Sequence, residues 1–234
     1  MSTAAIEFDT VRFGYRPGQT VLDVPALRVD RGERVFLFGP SGSGKTTLLG
    51  LVTGVLMARE GRVGVLGQDL TPLSGARRDA LRAAHLGYIF QMFNLIPYLS
   101  VLDNITLPCR ISTERRARLG GRSMNDAARE LANHLGIAAH INDPVTQLSV
   151  GQQQRVAACR ALIGAPDLIV ADEPTSALDA DRRSDFIELL FRSCEDVGAT
   201  LLFVSHDRGL EPMFSRALSL PEINRAAETP AGEA

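Results

Sequence analysis

The sequence predicts an α/β fold, a mostly parallel sheet covered by helices. Three observations carry that expectation. Short apolar runs alternate with helix-period segments towards both ends of the chain. A glycine-rich loop, Gly39-Pro40-Ser41-Gly42-Ser43-Gly44-Lys45-Thr46, lies between an apolar run and a helical one. A second apolar run, Leu168-Ile-Val-Ala, ends in two acids, Asp172 and Glu173. The 234 residues suit one large domain or a core with an inserted subdomain.

In chain order, Ile6 to Asp30 reads as short strands with turn signals at Gly14, Pro17-Gly18 and Pro25. Arg34–Phe38 is a compact apolar strand. After the glycine loop, Leu48, Leu49, Val52, Val55 and Leu56 recur at helical spacing, which predicts a helix over Thr46–Met57. Gly61–Leu70 reads as a strand pair. From Met92 to Ile163 the pattern is mostly helical. Arg110–Arg122, rich in arginine, reads as a solvated surface loop. Ser123 and Asp126 have capping-box spacing and open a helix that Gly136 stops; Ser149 and Gln152 open another, ended by Gly164 and Pro166. Leu168–Val170 is a buried strand, Asp181–Val197 an amphipathic helix ended by Gly198, and Thr200–Val204 the next strand.

Composition narrows the function classes. Hydrophobic residues make up 45% and charged residues 22%, ordinary for a globular chain. The formal net charge of −2 does not favour a nucleic-acid partner. No apolar run approaches the ~20 residues that span a bilayer, and no secretory signal is visible in Met1 to Thr10. Cys109, Cys159 and Cys194 lack metal-ligand spacing and fit a reduced, cytosolic compartment.

The chemistry-bearing residues form three groups. Gly39–Thr46 fits G-x-x-x-x-G-K-[ST]. Glycines let backbone N–H groups turn towards phosphate oxygens, the following helix adds its positive end, Lys45 supplies a mobile charge, and Thr46 offers a hydroxyl to Mg²⁺. On the acid-ended strand, Asp172 suits a Mg²⁺ ligand and Glu173 a general base that polarises water. His206 follows the strand Leu201–Val204; if that strand is parallel to the others, the histidine reaches the edge where ligands bind in open α/β sheets. His85, His134 and His140 read as structural. The segment Leu148-Ser149-Val150-Gly151-Gln152-Gln153-Gln154-Arg155 begins a second helix with free N–H donors, far along the chain from the first.

Together these residues resemble the ATP-binding subunits of ABC transporters, over roughly Ile6 to Leu220 and in the family's order. Gly39–Thr46, with Thr47 next to it, resembles the Walker A loop, Gln91 the Q-loop glutamine, Leu148–Arg155 the family signature and Leu168–Glu173 the Walker B strand. Asp179 resembles the D-loop acid, His206 the switch histidine, and Tyr15 the aromatic under the adenine. Val150 stands where the signature usually has glycine. The resemblance implies an ABC ATPase fold: a P-loop core over about 1–91 and 165–222, an N-terminal antiparallel β subdomain, and a helical subdomain over about 92–164. The expected domain is thus 1–222, with a disordered tail over 223–234.

The resemblance also implies ATP and Mg²⁺ as cofactors. Glu173, His206, Gln91 and Asp179 are then the catalytic residues, and Thr46, Gln91 and Asp172 the metal ligands. Tyr15, Gly39 to Thr47, Ser149, Gly151 and Gln152 bind nucleotide. It implies a head-to-tail homodimer that closes on two ATP, and a separate permease at the cytoplasmic face of the inner membrane. The stretch Phe90–Asn104 and Leu107-Pro108 look like the lipoprotein-releasing and macrolide-exporter branch, whose FtsX/MacB-like permeases transmit force across the membrane. The alternative is a regulatory ABC ATPase, for example in cell division, acting through a similar permease. A P-loop kinase would lack the Ser149–Arg155 segment.

Overall fold

The structure, a computed structural model, describes residues 4–228. The elements in chain order are β1 (Ala4–Phe13), β2 (Leu22–Asp30), β3 (Arg34–Phe38), α1 (Lys45–Val52), β4 (Glu60–Val65), β5 (Gln68–Asp69), α2 (Gly75–His85) and β6 (Leu86–Ile89). Then come α3 (Val101–Ile111), α4 (Thr113–Ala117), α5 (Met124–His134), α6 (Val150–Leu162), β7 (Leu168–Asp172), α7 (Ala180–Val197), β8 (Thr200–Ser205), β9 (Arg216–Ser219) and α8 (Leu220–Ile223). The chain divides into two compact units. One is Met1–Asp79 with Leu202–Ala234, the other Ala80–Leu201.

In the first unit, β2, β1, β4 and β5 form an antiparallel sheet. Phe8 of β1 lies opposite Leu27 on one side and Val63 on the other, and all three are buried, as alternation along a half-buried strand requires. β3 pairs with β9 in parallel, Val35 opposite Arg216. Phe36 and Phe203 pack with Phe214, ring centroids 5.1 Å away from each, to make an aromatic core beneath the glycine loop's strand.

In the second unit, β6 and β7 pair in parallel with Tyr88 opposite Val170. Helix caps follow the sequence signals: Ser100, Ser123 and Ser149 each accept a backbone N–H from three residues on. Phe186, Ile187, Leu190, Phe191 and Cys194 form the buried face of α7, and Gly198 ends it at φ 68°. Cys109, Cys159 and Cys194 are buried thiols outside any disulfide among the described residues, and burial pushes the Cys109 and Cys159 thiols up. Among the described residues no helix is long and apolar enough to cross a membrane.

Three expectations are corrected. α1 ends at Val52 rather than Met57, because Gly54 adopts φ 66° and turns the chain. Arg110–Arg122 is not a solvated loop. α3 runs to Ile111, α4 follows, and Arg115 is 2% exposed, its guanidinium donating to Ile163 O at 2.7 Å, Leu86 O at 2.9 Å and Ala161 O. The tail does not start at 223. Ile223 closes α8, Asn224 is buried, and Arg225–Glu228 form a 3₁₀ turn. The order has a cause: Asn224 donates to Val21 O at 3.0 Å and accepts from Asp23 N at 2.8 Å. Residues 229–234 lie outside the described residues.

Candidate functional site

In the first unit, the loop between β3 and α1 is set by its glycines. Gly42 and Gly44 take φ 81° and 100°, conformations costly for any residue with a Cβ. Gly44 is the N-cap of α1 and offers no side-chain acceptor, so the first-turn N–H groups of the helix are left to whatever the loop holds. Lys45 folds back over the loop and donates to Gly39 O at 2.7 Å and Pro40 O at 3.2 Å. Ser43 Oγ is buried without a hydrogen-bond partner, a cost that a ligand oxygen would remove. Asn224 also reaches Ser43 O, at 3.4 Å, and so steadies the loop from behind.

Tyr15 stands at the loop's flank. Its hydroxyl shares a hydrogen bond of 3.1 Å with Thr47 Oγ1, and its ring meets Phe13 edge-on at 5.1 Å. Most of that ring remains open to solvent, a flat surface beside a phosphate-type loop. His206 is exposed just after β8. The turn that carries it is fixed by Asp207 N donating to Ser205 Oγ at 3.1 Å, and by Arg208, whose guanidinium lies 4.4 Å over the Phe38 ring. Phe38 immediately precedes Gly39, so the His206 turn and the glycine loop share an anchor.

In the second unit, Asp172 ends β7 and accepts the Tyr88 O–H at 3.4 Å. Burial, and then the Asp172 charge, push the Tyr88 phenol well above its ordinary range, so it stays a donor. Glu173 is 8% exposed and sits at φ 48°. A left-handed glutamate costs on the order of 1–3 kcal/mol and belongs with functional strain. The turn after it is tied to α6, where buried Gln154 donates to Pro174 O at 2.8 Å. Asp179 caps α7 by accepting from Arg182 N at 3.0 Å.

Gln91 is exposed two residues beyond β6. The segment after it holds two successive left-handed residues, Phe93 (φ 57°) and Asn94 (φ 47°). Arg160 of α6 donates to their carbonyls at 2.6 and 2.7 Å. At the start of α6 the capping box is complete: Ser149 N donates to Gln152 Oε1 at 2.8 Å, and Gln152 N to Ser149 Oγ at 3.4 Å. Val150 is 47% exposed, and Gly151 has only the Leu178 methyl near it, 3.8 Å from where a Cβ would be.

Each unit therefore holds one prepared helix start. The first has Tyr15, Gly39 to Thr47 and His206; the second has Gln91, Asp172, Glu173, Asp179, Ser149, Gly151 and Gln152. Of the three expected metal ligands, Thr46 belongs to the first unit and Gln91 and Asp172 to the second. Sequence reasoning missed Asn224, Gln154 and Arg160. The glutamine run Gln152–Gln154 was a signal for Gln154, since three successive amides at a helix start exceed what capping needs.

Comparisons with known proteins identify the family. The family model described as ABC transporter matches residues 22–176. The uncharacterized ABC transporter ATP-binding protein YbbA of Escherichia coli K12 is 39% identical over 201 residues, covering 86% of each chain. The lipoprotein-releasing system ATP-binding protein LolD of Syntrophotalea carbinolica is 37% identical over 202 residues, covering 86% of this chain and 87% of that one. The macrolide export ATP-binding/permease protein MacB of Chromobacterium violaceum is 36% identical over all of this chain, which spans 36% of its length. Among solved structures, the ABC cassette MJ0796 as a dimer matches with TM-score 0.80 at 32% identity, covering 92% of this chain and 93% of that one. Its post-hydrolysis state bound to ADP and Pi matches with TM-score 0.81. The chain belongs to the ABC transporter family, as an ATPase subunit on the branch of its LolD and MacB relatives.

Proposed function

We propose that this chain works as a head-to-tail homodimer around two ATP and drives a separate permease of the mechanotransmission type from the cytoplasmic face of the membrane. The observation that carries the reading is the presence of two prepared anion sites: the uncapped, glycine-shaped start of α1 and the exposed, boxed start of α6. One nucleotide fills one of them. A second copy, turned end to end, brings its α6 to the terminal phosphate held by the first.

In that arrangement Gly39 to Thr47 cradle the phosphates, Lys45 leaves its loop carbonyls for the β- and γ-oxygens, and Tyr15 supports the adenine. Ser149, Gly151 and Gln152 of the second copy present hydroxyl and N–H donors to the γ-phosphate. Glu173 polarises the attacking water, His206 holds the γ-phosphate, and Asp179 links the two copies. Thr46, Gln91 and Asp172 each offer the oxygen that a hard cation takes, and the Tyr88 O–H donates to Asp172. Mg²⁺ there would neutralise charge on the β- and γ-phosphate oxygens.

The segment before α3 supports a permease partner. Met92 and Tyr98 are 80% and 85% exposed, large side chains without cover on the stretch that begins at Gln91. Likeness to LolD and MacB supports the branch. Co-purification from detergent-solubilised membranes tests it. The expected partner is a permease with few spans and a large extracytoplasmic domain, which changes the ATPase rate of this chain on binding. Stable association with a many-span importer permease would overturn the branch assignment.

A further inference from the structure

The capping box at the start of α6 has further members. Gln152 Oε1 accepts the Ser149 N–H at 2.8 Å, and since a backbone N–H is always a donor, this contact fixes which end of the amide is oxygen. The other end, Nε2, is then a donor, and it lies 2.8 Å from His140 Nε2. That ring nitrogen must carry a lone pair. In the neutral ring the proton is therefore on Nδ1, which lies 2.8 Å from Asp143 Oδ2. The hydrogen bonds run in one direction: Ser149 N–H to Gln152, Gln152 N–H to His140, His140 N–H to Asp143.

The ring is held in place. Asp143 N donates to His140 O at 2.9 Å, Val101 N to Asp143 O at 3.0 Å, and Leu102 N to Ile141 O at 2.9 Å. Asp143, from the same turn, is the charged group on the ring, and the α6 group facing it is the neutral Gln152 amide.

We propose that His140 and Asp143 are positioning residues for ATP-driven pairing, holding the Ser149 end of α6 ready for phosphate only while the imidazole is neutral. This rests on the shared-site reading, in which that helix end meets the γ-phosphate on the second copy. A second proton on the ring makes Nε2 a donor facing the donor NH₂ of Gln152. Asp143 pairs with the cation and keeps it. The Gln152 amide must turn over to offer its oxygen to the ring, and its NH₂ then confronts the Ser149 N–H. The box opens, so pairing weakens as pH falls.

The test measures ATP-driven self-association by sedimentation in the Glu173→Gln background, between about pH 8 and about pH 5.5, the window in which imidazoles take up a proton. With His140 present, association should weaken about a hundredfold across the window, because the pair has two such helix ends and each loses about the tenfold of one hydrogen bond to a charged or desolvated group. His140→Gln supplies a permanent acceptor and should remove that dependence. His140→Arg supplies a permanent donor and should pair about a hundredfold more weakly at both ends of the window. Binding of a fluorescent ATP analogue to the dilute chain should be unchanged in both, which shows that they fold. A long-range ¹H–¹⁵N spectrum of the histidine rings reads the tautomer without any variant failing: at about pH 8 the signal lost in His140→Gln should be Nδ1–H.

An Nε2–H tautomer, or His140 variants that pair like the parent throughout, would overturn the proposal. Ser149→Glu separates the two failures. If it abolishes pairing while the His140 variants behave as the parent, the relay alone is wrong. If it pairs normally, the shared site is wrong and the relay falls with it.

Discussion

Arg115 is a buried charge with no carboxylate on it among the described residues. Burial pulls its guanidinium down to about 10, yet it remains charged and serves three main-chain carbonyls, one at the start of β6 and two at the C-terminus of α6. Those carbonyls include the last ones of a helix, which lack intrahelical donors. Arg115→Met should therefore destabilise the chain by about 2–4 kcal/mol, because three buried acceptors lose their donor while the cost of burying a charge is relieved. Urea unfolding measures this; a midpoint equal to that of the parent would contradict it. In the sequence this residue was one arginine in an arginine-rich stretch, and nothing in the local pattern separates a carbonyl-capping guanidinium from a solvated one. Lys45, Asp172 and Glu173 were legible for the opposite reason, since their chemistry is written in immediate neighbours: a glycine loop before a helix, an apolar strand before two acids. Asn224 was not, because its partners Val21, Asp23 and Ser43 lie some two hundred residues away in the chain.

At the scale of elements, the second unit is tied together where α2, β7 and β8 begin or end. Asp167, just before β7, donates through its N–H to His85 O at 2.9 Å, and its carbonyl accepts from Thr200 N at 3.0 Å. Its carboxylate meets His85 Nδ1 at 2.8 Å and Arg118 Nη1 at 2.9 Å. Burial works against that charge, but His85 and Arg118 outweigh it and hold the carboxyl below the usual range. A carboxyl with a lowered folded value contributes stability that is present above its unfolded value, about 3.9, and is lost as pH falls through the folded one. The difference in melting temperature between parent and Asp167→Asn should thus shrink as pH falls below about pH 4. A difference that does not vary with pH would contradict the pairing. Strands β1 to β4 and helices α5 to α7 were readable because their apolar residues repeat at the right period and their caps are explicit. α2 was not, since Gly-Ala-Arg-Arg-Asp-Ala-Leu-Arg-Ala-Ala-His carries little apolar surface and buries only Leu81 and Ala84.

At the scale of the whole molecule, a single chain carries both a phosphate loop and a second helix start that its own nucleotide does not need. In the proposed dimer, pairing resolves that excess and makes hydrolysis a switch: two chains would hold together while the γ-phosphate bridges them and part when it leaves. Family likeness over 86% of YbbA and of this chain places the architecture. The direct measurement is sedimentation of the Glu173→Gln chain with saturating ATP and Mg²⁺, alongside the same chain carrying Lys45→Ala. The account predicts a dimer holding two ATP in the first and a monomer in the second. A Glu173→Gln chain that binds ATP and stays monomeric at every concentration would contradict it.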